Sequence, residues 1–336
     1  MSKPNPFPQF FRDAMASDPD RAGKMFRPNE DTIIAAALQS TWEPSARDKK
    51  KGKQVALLMI DPQCDFVFPA DAEFPGSLSV PGAVGDMQRV AELIYKYGDQ
   101  ITRVFASLDT HYLYQIFHRL CWKDNATGGP VTPWRVITDE DIKSGKVSPL
   151  FDPQWLADYP AKLAETSKKL LAIWPEHCLE ISAGSAMVPI VAEAIIFHSA
   201  ARRSQVNILR KGNEPRTEMY GILKPEVLVP DSQFPTAHGL NQGFLKVLSD
   251  YDEIWIAGEA SSHCVLETLE QLYEEFAANS PDALSKVRIL TDCTSPVSPI
   301  PDGQGGMIDF PAIAKARFDF FQSQGFQLTT SADVAQ

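Results

Sequence analysis

Cys264 stands where an apolar run, Ile254-Trp255-Ile256-Ala257, breaks at Gly258 and resumes in helical spacing after Glu259-Ala260-Ser261-Ser262-His263. This change of period predicts a thiol on the first turn of a helix. Backbone N–H groups and the positive end of the helix dipole favour the thiolate there, and the thiolate is the nucleophilic form. Two other apolar runs end in charged groups: Leu57-Leu58-Met59-Ile60 leads into Asp61, and Val206-Asn207-Ile208-Leu209-Arg210 leads into Lys211. Each residue has an ordinary alternative role, as a small buried hydrophobe, a helix cap or a solvated terminus. Together, a base, a cation and a thiol form a set suited to nucleophilic cleavage of an amide.

A second set follows another strand-like run. Asp109 and His111 are two residues apart, and an extended chain turns such side chains the same way. Farther on come Phe117-His118 and Trp174-Pro175-Glu176-His177-Cys178. A carboxylate with two or three imidazoles suits one divalent ion, zinc first and iron or manganese next, with positions left open for water or substrate. Four histidines, His111, His118, His177 and His263, fall in or beside these segments; His198 and His238 are expected to be structural.

The elements that must position these groups follow from periodicity. Short apolar runs at Val55–Ile60, Val104–Leu108, Val206–Leu209, Glu253–Ala257, Val287–Leu290 and Phe326–Thr329 predict strands covered on both faces. Between them, apolar residues at three- and four-residue spacing predict helices at Ala83–Tyr97, Ala186–Ala201, Gly239–Ser249, Ser262–Ala277 and Ala312–Ser323. Their apolar stripes, including Phe318, Phe320 and Phe321, are read as core. The expected fold class is α/β: three layers around a doubly wound, six-stranded, mostly parallel sheet. Ligands of such sheets bind beyond the carboxyl ends of the strands, where strand order reverses. Asp61, Asp109, Lys211 and Cys264 all follow predicted strand ends.

Two segments stand outside this alternation. Residues 1–50 read as an N-terminal extension in which only Thr32–Gln39 is helix-like, and 51–336 as one domain. Within that domain, residues 119–172 carry five prolines and read as an inserted arm with no central strand.

At 336 residues the chain is long enough for a full core, and its net charge of −11, with no basic run longer than Lys49-Lys50-Lys51, argues against nucleic-acid or anionic-membrane partners. The five cysteines are odd in number and form no C-x-x-C pair, so a reducing compartment is expected rather than a disulfide framework. With no signal-peptide core and no run long enough to span a bilayer, the expectation is a cytoplasmic enzyme with a small-molecule partner. A closed homo-oligomer is the expected state.

Several motifs occur in a telling order. Ile60-Asp61-Pro62-Gln63-Cys64-Asp65-Phe66 is followed by Pro75-Gly76-Ser77-Leu78-Ser79-Val80-Pro81-Gly82-Ala83, then by Asp109-Thr110-His111, Trp174-Pro175-Glu176-His177-Cys178, Lys211-Gly212 and Gly258 to Val265. Across roughly residues 54 to 330, this series resembles the isochorismatase-like cysteine hydrolase superfamily and, within it, the nicotinamidase branch. The resemblance implies Asp61, Lys211 and Cys264 as a catalytic triad, and Asp109, His111 and His177 as metal ligands with His118 as a further candidate. It also implies Phe66 and Trp174 as aromatic walls around a planar substrate. A cis Glu259–Ala260 bond and an oxyanion hole from the N–H groups of Ala260 and Cys264 complete the implied site. The implied activity is hydrolysis of a small carboxamide, nicotinamide first, through a Cys264 thioester, with the metal binding the pyridine nitrogen.

The chain also departs from the pattern. Glu259 occupies a place usually held by an apolar residue: facing the pocket it would select against anionic substrates, and facing inward it would be a structural acid. Rival readings are a hydrolase of the same superfamily acting on another amide, ureide or imide, a hydrolase using metal-bound water, and a catalytically silent binding or scaffold protein.

Overall fold

Six consecutive apolar residues leave Val55–Ile60 (β1) without a polar face, so this strand needs cover on both sides and strand neighbours on both edges. The computed structural model, which describes residues 3–45, 52–166, 169–302 and 305–335, supplies both. The strands are β1, Arg103–Asp109 (β2), Asn207–Lys211 (β3), Glu253–Gly258 (β4), Val287–Leu290 (β5) and Gln327–Thr329 (β6). They form one sheet in the order β6-β5-β4-β1-β2-β3, parallel at every pairing. Strand order reverses between β1 and β4. The site residues gather at the carboxyl ends of these two strands and of β2 and β3.

The period of two along β1 divides the core. Val55, Leu57 and Met59 face one layer, built on helices Ala83–Tyr97 (α3) and Pro189–Arg202 (α4). Ala56, Leu58 and Ile60 face the other, built on Gln242–Ser249 (α5), Cys264–Asn279 (α6) and Phe310–Ser323 (α7). Phe321 is fully buried there, and Phe318 and Phe320 pack against it at partial exposure. Each apolar β1 side chain of valine or leucine size, fully buried, contributes about 1.5–3 kcal/mol.

The extension contains more structure than its sequence predicts. Besides Glu30–Leu38 (α2), close to the predicted helix, Gln9–Ser17 is helical (α1). Phe11 of α1 packs on Tyr95 of α3 at 4.6 Å between ring centroids, and Ile33 and Ala37 of α2 are buried in the same cluster. Arg21 pairs with Glu193 of α4 at 2.7 Å. The extension therefore covers the outer faces of α3 and α4. The Lys49-Lys50-Lys51 run lies outside the described residues.

Among the described residues, the arm at 119–172 adds no strand to the main sheet, as its prolines predict. It forms two short antiparallel ribbons, Trp122–Asp124 with Val147–Pro149 and Val136–Ile137 with Leu171–Ala172. Its helix Pro153–Thr166 buries Leu156, Tyr159 and Leu163, which join the core rather than standing apart from it. No helix among the described residues is long and apolar enough to cross a membrane.

Candidate active site

β1 and α6 meet through a glycine. A Cβ on Gly258 would lie 2.0 Å from the carbonyl oxygen of Ile60, and its φ is +118°, so no larger residue fits this approach. Just beyond, the Glu259–Ala260 peptide bond is cis, and α6 begins at Cys264. Asp61, following β1, adopts φ +45°, a left-handed conformation that a short polar residue tolerates better than most. Ser107 of β2 both accepts from the Asp61 N–H at 3.1 Å and donates to its carboxylate at 2.6 Å. Gln63 bridges to the end of β2, donating to the Asp109 carbonyl at 2.8 Å and accepting from its N–H at 2.7 Å.

Lys211, at the end of β3, joins these groups. Its ammonium lies 2.9 Å from Asp61 Oδ2 and 2.6 Å from Asp109 Oδ1, donates to the Met219 carbonyl at 3.1 Å, and is 3.5 Å from Cys264 Sγ. All four side chains are buried. Burial favours neutral lysine, but Asp109 and Asp61 hold the ammonium charged well beyond its ordinary range. Burial raises the Asp61 carboxyl, with Lys211 opposing and Asp109 adding to the rise. For Asp109, Lys211 and His111 overcome burial and hold the carboxyl well below the usual range.

Cys264 corrects a sequence expectation. Its place at a helix start suggests a depressed thiol, yet burial raises the thiol well above its ordinary value, and Asp61 and Asp109 reinforce the rise against Lys211. The single ammonium is shared between two carboxylates, so little of its charge serves the sulfur. The resting group is a neutral thiol. The N–H groups of Ala260 and Cys264 beside it have no acceptor among the described residues.

Next to this group, ligand atoms of Asp109, His111 and His177 lie within 4.8 Å of one another. His111 Nδ1 is held 2.9 Å from the Gly212 carbonyl and His177 Nδ1 2.7 Å from the Pro175 carbonyl, which leaves each Nε2 for another partner. Gly212 has φ +71°, and a Cβ there would lie 2.5 Å from His111 Cε1. The His118 ring centroid is 5.7 Å from that of His177; its Nδ1 meets the Tyr112 carbonyl at 3.1 Å, and its buried Nε2 has no partner. Burial lowers His177 to about 4, so its imidazole is neutral at ordinary pH. A carboxylate, two oriented imidazoles and an orphaned third nitrogen fit a divalent ion of borderline softness.

His263 does not join this group. It packs against Trp174 at 5.2 Å and Phe310 at 4.5 Å between ring centroids, with Nδ1 2.9 Å from Ser262 Oγ. His198 meets the Ile101 carbonyl at 2.9 Å and His238 the Ser232 carbonyl at 2.6 Å, both structural contacts.

A pocket opens over the thiol, and Phe66, Trp174, Ala260, His111 and His177 are among its walls. Sequence reasoning missed Phe117, Glu218, Met219 and Tyr220, which also line it. No motif marks the last three; only their position seven to nine residues beyond the β3 end, in a turn-rich stretch, hints at proximity. Trp174 Nε1 donates to Tyr220 OH at 3.1 Å, and Tyr220 OH donates to Glu218 at 2.6 Å. Glu259 does not line the pocket: it is fully buried behind it, toward α3.

Fold and site together define a class: a doubly wound α/β protein with a cysteine, an aspartate and a lysine converging at the switch point of its sheet. No family model matches the chain, and no curated protein sequence matches it. Among solved structures it is similar to the yeast nicotinamidase Pnc1p, at 18% identity over 82% of this chain and 99% of that one, with a TM-score of 0.52. Pnc1p bound to the inhibitor nicotinaldehyde aligns with a TM-score of 0.51 at 18% identity, over 82% and 99% of the two chains. A nicotinamidase/pyrazinamidase of Acinetobacter baumanii aligns at 16% identity over 84% and 99% of the chains, with a TM-score of 0.50. The likeness establishes the shared α/β fold.

Proposed function

We propose that this protein is a cysteine amidohydrolase acting on a small planar carboxamide, nicotinamide first, and releasing ammonia. The observation that carries the reading is the contact of Lys211 with Asp61, Asp109 and Cys264 in one buried cluster, under two unpaired backbone N–H groups. Solved nicotinamidases of the same fold support it.

The chemistry follows from the charges. Asp61, its carboxyl raised by burial, takes the proton from Cys264, and Lys211 stabilises the resulting thiolate. The sulfur attacks the amide carbon. The N–H groups of Ala260 and Cys264 hold the oxyanion, and donors of this kind each lower the barrier by about 3 kcal/mol. The C–N bond breaks as Asp61 returns its proton to the amine, leaving ammonia and a thioester. Asp61 then deprotonates water, whose attack releases the acid and restores the thiol. Asp109, His111 and His177, with His118 as a fourth candidate, would hold a divalent ion, zinc first, that supplies a Lewis-acid anchor for a ring nitrogen. Phe66 and Trp174 flank the ring.

Ammonia release from nicotinamide and a panel of small amides tests the reading. Wild type is expected to turn over nicotinamide and Cys264→Ala is not; near-wild-type release by Cys264→Ala would overturn the thioester route.

A further inference from the structure

The reactive cluster is not the only place where two acids meet. Glu259, between β4 and α6, and Asp86, on α3, are 0% and 2% exposed. Each keeps one buried oxygen, Glu259 Oε1 and Asp86 Oδ2, without a hydrogen-bond partner among the described residues, and the Asp86 charge acts on Glu259; a proton between the two would satisfy both, since a carboxylate only accepts. Every charged group packed around the pair can be named. Arg89, on the same helix as Asp86, donates to Asp86 Oδ1 at 2.6 Å and also to the Asp292 carbonyl. The loop after β5 contributes Asp292, the thiol of Cys293 and the N–H of Ser295, which donates to Glu259 Oε2 at 3.2 Å. Among the described residues no lysine reaches the pair, and Arg89 is bound to Asp86. A second uncompensated negative charge would have no counterion.

We propose that Glu259 and Asp86 share a single proton and that this acid pair holds in place the backbone amide of Ala260, the residue following Glu259. Glu259 is a positioning residue: it touches no substrate and acts through the adjacent N–H. The anchoring is three-sided. The Glu259 N–H donates to the Ile60 carbonyl at 2.8 Å, the Ser261 N–H to the Ser295 carbonyl at 2.9 Å, and the side chain ties the peptide to α3. Burial and the Asp86 charge raise the Glu259 carboxyl well above its ordinary value, as for paired carboxyls elsewhere. The part concerning catalysis rests on the proposed oxyanion role of Ala260.

Infrared spectroscopy, amide NMR and kinetics test the inference together. At neutral pH, without substrate, the wild-type-minus-Glu259→Gln difference spectrum should contain the carbonyl band of one buried protonated carboxyl, while the band of Glu218, which burial pushes up to about 8, cancels. The Gln amide still donates to Asp86, so Glu259→Gln should keep kcat within about threefold of wild type and leave the Ala260 amide resonance in place. Glu259→Ala should shift that resonance and lower kcat by about 10²-fold, the size expected for a displaced oxyanion donor, with KM and metal content unchanged. Should Glu259→Ala fail to fold, Asp86→Asn takes its place for the proton, and its difference spectrum against wild type must contain the same band. A wild-type-minus-Glu259→Gln difference spectrum without that band, or a wild-type kcat and unmoved Ala260 resonance in Glu259→Ala, would overturn the inference. The band and the resonance are read without turnover, so an inactive wild type would refute the amidase reading and leave this one to be judged separately.

Discussion

Two buried pairs of acids flank the end of β1, and they are kept from repelling in opposite ways. Asp61 and Asp109 share a lysine, with Lys211 within 3 Å of both. Among the described residues, Asp86 and Glu259 have one arginine, the Ser295 N–H and each other. A lysine-neutralised pair keeps one carboxylate free to take a proton, as a base must; a proton-neutralised pair has no such capacity and can only hold position. Each pair has a cysteine beside it: Cys264 next to the first, and next to the second Cys293, whose thiol is raised by burial and by Asp292. The same two residue types become reactive or inert according to the cation.

Removing that cation should have the largest effect. Lys211→Met leaves two facing carboxylates in the core, and breaking a buried ion pair in this way costs about 3–5 kcal/mol. Thermal denaturation should show the loss together with abolished ammonia release; an unaltered melting temperature would break the comparison. Next comes the contrast of thiols. Cys264→Ala should lose at least about 10⁴-fold in kcat with its fold intact, while Cys293→Ala, measured in the same assay, should stay active. If Cys293→Ala is the inactive variant, the two pairs have been assigned the wrong roles.

A smaller effect concerns the ion. Elemental analysis should find about one divalent ion per chain in wild type and sharply less in His111→Ala, while His263→Ala should keep it, because His263 sits with Trp174 and Phe310. The smallest effect comes from another buried acid, Glu218, whose carboxyl accepts from the phenols of Tyr159 and Tyr220. Burial pushes its carboxyl up to about 8 against an ordinary 4.5. A raised value means stability that is complete below 4.5 and is lost as pH rises through 8. Melting temperature against pH should therefore fall over that window in wild type and fall less in Glu218→Gln; parallel curves would show that Glu218 ionises freely.

Much of this was legible in the chain. β1, β5 and α3 begin and end where their apolar periods do, because β1 is buried along its whole length and β5 and α3 each bury an apolar face from first residue to last. Other boundaries moved for local reasons. Pro189 opens α4 three residues later than predicted, since Met187 is held extended by a bridge to Gln63, and Asn241 caps α5 by accepting from the Phe244 N–H at 3.0 Å. Helix α1 was missed because its short, proline-flanked segment is stabilised by tertiary packing, Phe11 on Tyr95 and Phe10 on Phe197, which local propensity does not register. Within the site, strand ends revealed Asp61, Asp109, Lys211 and Cys264. The direction of Glu259 and the protonation of Cys264 were hidden, because both depend on charges brought in by other strands and helices.

The strand order also has a consequence for biosynthesis. β1 lies in the middle of the sheet, yet one of its neighbours, β4, pairs Gly258 with Ile60, far along the chain. During translation, one edge of a wholly apolar strand stays unpaired until β4 leaves the ribosome, on the order of 10–40 s later at 5–20 residues per second. The nascent protein over that interval is a half-sheet with an adhesive edge, the kind of species chaperones retain. The sulfur of Cys264, six residues beyond β4, arrives only when that edge is about to close.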